Sequence, residues 1–160
     1  MAMTIRPVDA SDIRAMASIR AQEWETEAYW ERRIDLYLRG EMSPREALRA
    51  RAAFVAVDEG RVTGFVAGHG TKRYQCDGEL EWISVSKAER GKGVAGKLLR
   101  KIADWFVEHE MFRVCVDVEP KNGVARRLYT KYGARPLNEH WMVWEDVRSI
   151  IRSAKRLAET

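Results

Sequence analysis

Residues 90–99 read RGKGVAGKLL, and three phosphate-cradling patterns overlap within them. Gly91, Gly93 and Gly96 spell G-x-G-x-x-G, in which small residues let the backbone approach a dinucleotide pyrophosphate. Gly91 to Lys97 spell G-x-x-x-x-G-K, the loop of nucleotide triphosphate sites short of its final hydroxyl residue. Arg90, Gly93 and Ala95 spell [RQ]-x-x-G-x-[GA], a basic side chain ahead of a small-residue turn. Each pattern places main-chain amides at a helix start, where aligned peptide dipoles favour an anion. The flanking residues choose among them.

Leu98 stands where a nucleotide triphosphate loop needs a hydroxyl for Mg²⁺, and a leucine supplies no such ligand. The dinucleotide pattern keeps some support, because Asp117 lies about 20 residues further on, after the next candidate strand. That pattern requires its first glycine tight against the preceding strand, however. Here Ser86-Lys87-Ala88-Glu89-Arg90 separates Val85 from Gly91. The pattern is also typical of a first strand–helix unit, whereas this loop follows four candidate strands.

Working outward, the strand signal ELEWISVS precedes the loop. An amphipathic helix follows it, with Ala95, Leu98, Leu99, Ile102 and Phe106 on one face. Upstream, AFVAVD and RVTGFVAGHG predict an antiparallel hairpin turned by Asp58-Glu59-Gly60. Residues 3–8 suit an edge strand with Pro7 near its end. A helix capped by Asp9 or Ser11 carries Ile13, Met16, Ala17 and Arg20 on one face, and a second covers 26–39. Ser43-Pro44-Arg45-Glu46 has the form of a capping box, which predicts a third short helix ending near Arg51. Downstream, FRVCVDV reads as a buried strand. NGVARRLYTKYG reads as a helix closed by Gly133, followed by short strands at ARPL and HWMVWE and a terminal helix. The fold class is one mixed α/β domain.

Composition agrees. The chain has 160 residues, 46% hydrophobic and 32% charged, enough for one core. Charges interrupt every apolar run, so no membrane partner is expected, and the first residues lack a signal peptide's apolar stretch. A cytoplasmic location is the expectation. The net charge of +4 suits an anionic small ligand. Nucleic acid is not expected as a partner, since no basic stripe with interleaved aromatics is present. Cys76 and Cys115 are read as free thiols. His69, His109 and His140 are far apart in sequence, and no metal is expected.

Residues 83–99, ISVSKAERGKGVAGKLL, and residues 122–134, NGVARRLYTKYGA, together resemble the two core motifs of the GNAT superfamily of N-acetyltransferases. The second matches N-x-x-A-x-x-x-Y-x-x-x-G. The resemblance runs in coarse order along the whole chain. It implies a single GNAT-like domain over 1–160, with a central, mixed, mostly antiparallel sheet whose middle strands splay between flanking helices. Residues 1–52 would supply the first strand and the substrate-side helices, and 79–134 the acetyl-CoA-binding core. It further implies acetyl-CoA as cosubstrate and direct acetyl transfer to a primary amine. Arg90, Gly91, Lys92, Gly93, Val94, Ala95 and Gly96 would hold the pyrophosphate, with Lys92 and Lys97 equally readable as solvent-facing. Ile83 and Val85 would offer main-chain contacts to the thioester and pantetheine arm. Asn122, a good helix cap in its own right, would touch the cofactor arm.

The chemistry asks for a base, because an alkyl ammonium has a pKa of about 10.4 and attacks only when neutral. It also asks for a donor to the leaving thiolate. Period-two alternation places Glu79, Glu81, Ile83 and Val85 on one strand face. Glu81 is read as the base, ahead of Glu79, with water as intermediary in either case. Tyr129, at the tyrosine of the second motif, is read as the acid; packing of an aromatic on an amphipathic helix is the other reading. Residues 23–33, EWETEAYWERR, set Glu23, Glu25 and Glu27 among Trp24, Tyr29 and Trp30. That mixture suits a cationic amine, and it equally suits two helices packing through their tryptophans. Trp82, Trp141 and Trp144 either line the cleft or fill the sheet faces. HWMVWE offers a surface for a homodimer. A non-catalytic acyl-CoA sensor is the contrasting function.

Overall fold

The longest pairing in the molecule is the hairpin of β2 (Ala47–Asp58) and β3 (Arg61–Thr71). Glu59 and Gly60, at φ +51° and +76°, make its two-residue turn. Positive φ at both positions matches the right-handed twist of the strands. The structure, a computed structural model, describes residues 3–158; positions 1–2 and 159–160 of the expected domain lie outside the described residues. β1 (Thr4–Pro7) pairs outside β2 as an edge strand, and β4 (Gly78–Val85) pairs antiparallel with β3 on the other side. β5 (Val114–Asp117) runs parallel to β4, and β7 (Trp141–Trp144) and β6 (Arg135–Pro136) complete the sheet. The order is β1-β2-β3-β4-β5-β7-β6. Among the described residues only β4 and β5 are parallel neighbours, so the sheet is mixed and mostly antiparallel.

Helices cover both faces. α3 (Val94–Glu108) lies on one with α4 (Gly123–Lys131) and α5 (Arg148–Ala158). Leu98, Leu99, Ile102 and Phe106 are essentially fully buried there, against Val66, Leu80, Val116 and Trp144. Each such side chain contributes about 1.5–3 kcal/mol through removal from water. α1 (Ile13–Ala21) and α2 (Glu27–Leu38) cover the other face, where Met16, Trp30, Ile34 and Tyr37 pack on Val55, Phe65 and Trp82.

The sequence reading needs two corrections here. The short helix expected after Ser43-Pro44-Arg45-Glu46 does not form. Glu46 takes a positive φ of +65°, and the chain enters β2 at Ala47. Pairing with β3 overrides the local cap signal, with Ala47 opposite Thr71 and Arg51 opposite His69. Arg51 then secures the preceding turn, its guanidinium donating to the Tyr37 carbonyl (2.8 Å) and the Ser43 hydroxyl (3.1 Å).

The second correction concerns β4. Its register against β3 slips between Ala67 and Gly68: Trp82 faces Ala67, Leu80 faces Gly68, and Glu81 is the extra residue. A bulge of this kind breaks strict alternation. Ile83 and Val85 therefore pack with Leu80 on the α3 side, while Glu79 and Glu81 stand with His69 on the α2 side. The four residues do not share one face.

Candidate active site

Beyond Val85 the backbone folds into a loop with an open inner curve. Residues 87–89 form a single 3-10 turn, and the chain reverses through Gly91 and Gly93 at φ +83° and +81°. Glycine alone adopts this conformation without strain. A Cβ at either position would meet nothing within 4 Å, so the space beside both glycines is open. Gly93 is the N-cap of α3 and brings no side-chain cap, which leaves the first-turn N–H groups free to face an anion. Val94 is buried and fixes the helix start, and Ala95 is half-buried beside it. Gly96 has a different reason to be small. A Cβ there would overlap the Tyr132 hydroxyl, so Gly96 is what lets α4 close on α3.

Two charged side chains of the loop, Lys92 and Arg90, are more than half exposed and are paired within the protein. Lys92 Nζ donates to Glu89 (3.0 Å). Arg90 is paired with Glu23 through Nη2, and its Nε donates to the Val85 carbonyl (3.3 Å). The end of α1 clasps the same connection: Gln22 donates to the Ser86 hydroxyl (3.3 Å) and accepts from the Lys87 N–H (2.9 Å). Asn122 is the N-cap of α4, its side chain accepting from the Ala125 N–H at 3.1 Å.

Next to this loop the sheet opens. β4 and β5 pair only from Gly78–Val114 to Leu80–Val116 and then part. The Ser86 N–H donates across to the Thr63 carbonyl (2.8 Å), so alternation turns the N–H groups of Ile83 and Val85 the other way, into the opening. Tyr129 packs on the α3 side of the sheet, 5% exposed and edge-on to Trp144 at 5.5 Å. Burial pushes its hydroxyl well above the usual tyrosine range. Glu81 comes from the α2 side. Burial first, and then the charge of Glu79, push its carboxyl up to about 7, against the pull of Arg33 and Arg20. Arg20 and Asp117 act electrostatically on both Glu81 and Tyr129, so the four groups share one electrostatic neighbourhood.

Glu79 is in a different situation. It is 3% exposed, and its Oε1 accepts from Arg73 Nε at 3.2 Å. Its carboxylate is thus engaged, whereas that of Glu81 has no hydrogen-bond partner among the described residues. The pairing of β3 with β4 also sets His69 opposite Glu79, although sequence spacing suggested no histidine near an acid. Cys76 and Cys115 are both free and buried, packed in one small cluster with Val143.

Sequence reasoning missed several of these groups. Arg20 lies on the apolar face of α1, its guanidinium 4.3 Å from the Trp30 ring and donating to the Ser84 hydroxyl at 3.2 Å. A lone charge on that face was the available signal. Arg73 and His69 carried none, because a loop and the β3–β4 pairing bring them to the site, and Asp117 stood out only as the acid of a dinucleotide pattern. The tryptophans divide. Trp30, Trp82 and Trp144 are buried in the two cores, Trp141 stacks under Arg73 (4.7 Å), and Trp24 is 56% exposed beside Tyr29. In HWMVWE, Met142, Val143 and Trp144 are buried within the chain itself.

An acetyltransferase of the GNAT family from Desulfovibrio desulfuricans superposes with a TM-score of 0.71 at 13% identity, over 91% of this chain and 99% of that one. The GNAT family N-acetyltransferase YhbS from Escherichia coli, solved with CoA, gives 0.67 at 20% identity, over 92% and 84%. A spermidine N-acetyltransferase from Vibrio cholerae gives 0.68 at 18% identity, over 94% and 98%. At such identities the likeness is one of fold. No curated protein sequence matches the chain. Residues 13–134, from α1 through α4 and including both loop motifs, match the family model for the acetyltransferase (GNAT) family. The chain belongs to the GNAT family of acetyltransferases, enzymes of the acyltransferase class.

Proposed function

We propose that this enzyme transfers the acetyl group of acetyl-CoA directly to a primary amine, with Glu81 as the base and Tyr129 as the acid. The observation that carries the reading is the parting of β4 and β5 beyond Leu80–Val116, with Glu81 on the α2 side of the sheet and Tyr129 packed on the α3 side. The loop fits the coenzyme: an open curve at Gly91 and Gly93, uncapped N–H groups at Val94 and Ala95, and Arg90 and Lys92 within side-chain reach. For Arg90 to meet a pyrophosphate it must leave Glu23. Asn122 caps α4 and borders the arm.

In this reading Ile83 and Val85 direct N–H groups at the thioester and pantetheine, which is where negative charge develops. The amine nitrogen forms a bond to the acetyl carbon, directly or with one water relaying its proton to Glu81. The carbon–sulfur bond breaks, and Tyr129 gives its proton to the sulfur. A carboxyl near 7 is half ionised at neutral pH, which suits a group that must accept a proton and then lose it. Glu79, engaged by Arg73, acts by its charge on Glu81 and not as the base. Acids and aromatics at the acceptor end, Glu81, Asp117, Trp24 and Tyr29, favour an amine that carries positive charge elsewhere. A small molecule and a protein amine both satisfy that chemistry. One domain over 1–160 would contain the whole site, with 1–52 walling the acceptor and 79–134 holding acetyl-CoA.

The test is a thiol-release screen across amine classes, run with wild type, Glu81→Gln and Tyr129→Phe. Turnover with at least one class, reduced in both variants, is expected. Acetyl-CoA binding with no thiol release from any amine would instead mark a sensor.

A further inference from the structure

We propose that His69, Glu79 and Glu81 form a binding site for one divalent transition-metal ion of the Zn²⁺ class at the acceptor end of β4. The three ligand atoms lie within 4.8 Å of one another. His69 is completely buried, and its Nε2 has no hydrogen-bond partner. A buried polar atom without a partner is uncommon and calls for a cause. This one points at Glu79 Oε1 from 3.6 Å. That separation is too long for an N–H···O hydrogen bond. It is close to the edge of about 3.4 Å between two ligands in a tetrahedron with bonds near 2.0–2.1 Å.

The surroundings are those of a metal site as well. The Nδ1 of His69 lies 2.8 Å from the Tyr37 hydroxyl; with the proton on Nδ1, this outer contact orients the imidazole and leaves Nε2 bare for an ion. Glu79 is itself held by Arg73. Glu81, at the bulge, is the ligand nearest the opening. Three protein ligands leave a fourth position facing the amine's path. One imidazole with two carboxylates suits Zn²⁺, Co²⁺ or Fe²⁺; Mg²⁺ prefers oxygen and keeps its water shell. Arg73 on Glu79, and Arg33 and Arg20 acting on Glu81, lower the affinity, but none of them occupies His69 Nε2.

Ion binding has a consequence that rests on Glu81 being the base: a carboxylate held by a metal accepts no proton, so the filled site stops acetyl transfer. The binding itself is read without acetyl-CoA or acceptor. Zn²⁺ titration by calorimetry, with Co²⁺ absorption as a second readout, should show one equivalent bound by the wild type and no response to Mg²⁺. His69→Gln should weaken binding by about 100-fold or more. Tyr37→Phe, which keeps the ring, should weaken it by about 10–100-fold through loss of the outer contact. Melting curves check that each variant is folded, and the ¹⁵N shift of the wild-type His69 ring on Zn²⁺ addition needs no variant at all. No uptake at one equivalent by the wild type, uptake undiminished in His69→Gln, or an equal response to Mg²⁺ would overturn the site. Transfer that continues undiminished with the site filled would overturn the blocking role, whereas Glu81→Gln with metal absent tests the base separately.

Discussion

The two ends of β4 are built from different materials. At its C-terminal end the chain makes a cradle from backbone: two glycines at positive φ with open space beside them, and an uncapped helix start. Toward its middle it gathers side chains from four distant places: Arg20 on α1, His69 on β3, Glu79 and Glu81 on the strand itself, and Tyr129 on α4. The first region is local in sequence and nearly indifferent to side-chain identity beyond smallness. The second depends on a bulge, a strand pairing and two helix contacts all being in place. Changes in the two regions should therefore separate cleanly, one set moving coenzyme affinity and the other moving chemistry.

Glu81→Gln is the sharpest cut. It should lower turnover by about 10²–10⁴-fold while leaving CoA affinity within twofold by calorimetry. Loss of CoA affinity in this variant would mean that the two regions are not separable. Gly93→Glu is the converse. A side chain at φ +81° strains the turn and puts a like charge against the pyrophosphate, so CoA affinity should fall by at least about tenfold. Unchanged affinity would remove the cradle from the account.

These regions differed in the same way in what their sequence disclosed. RGKGVAGKLL and NGVARRLYTKYG specify glycines, a helix start and a cap within a few residues, and the structure forms each element where the pattern sets it. The acceptor end was legible only in part. Glu79 and Glu81 were picked out by type, but alternation put them on the face of Ile83 and Val85, and the bulge at Glu81 moves them to the other. His69 and Arg73 gave no local sign, because their partners come through β3–β4 register and a loop. The failed helix at 44–51 has the same origin: a capping pattern outweighed by pairing with β3. Gly96 shows that even the local motif mixes purposes, since its smallness answers to Tyr132 and not to a ligand.

Two smaller effects sharpen the boundary between the regions. Gly96→Ala places a methyl against the Tyr132 hydroxyl. It should destabilise the fold by about 1–3 kcal/mol in chemical unfolding, with Tyr132→Phe in the same chain relieving part of the loss. Glu23→Gln removes the partner that holds Arg90 away from the loop. Both side chains are about half exposed, so the pair is worth at most about 1 kcal/mol. CoA should bind up to about fivefold more tightly, and weaker binding would mean that Glu23 positions Arg90 for the coenzyme.

The pH dependence of kcat/KM for a good amine, measured with chelator present in wild type and Glu81→Gln, tests the central claim most directly. Glu81 acts as carboxylate, and it is surrounded by Glu79, Asp117, Arg20 and Arg33 with burial raising its pKa to about 7. Activity of the wild type should therefore fall by a further factor of about ten per pH unit below that value, on top of the amine's own titration. The Gln variant should lack this extra fall and keep only the roughly tenfold-per-unit dependence that the amine's own single proton sets. An acid limb near 7 that persists unchanged in Glu81→Gln would contradict the assignment of Glu81 as the base.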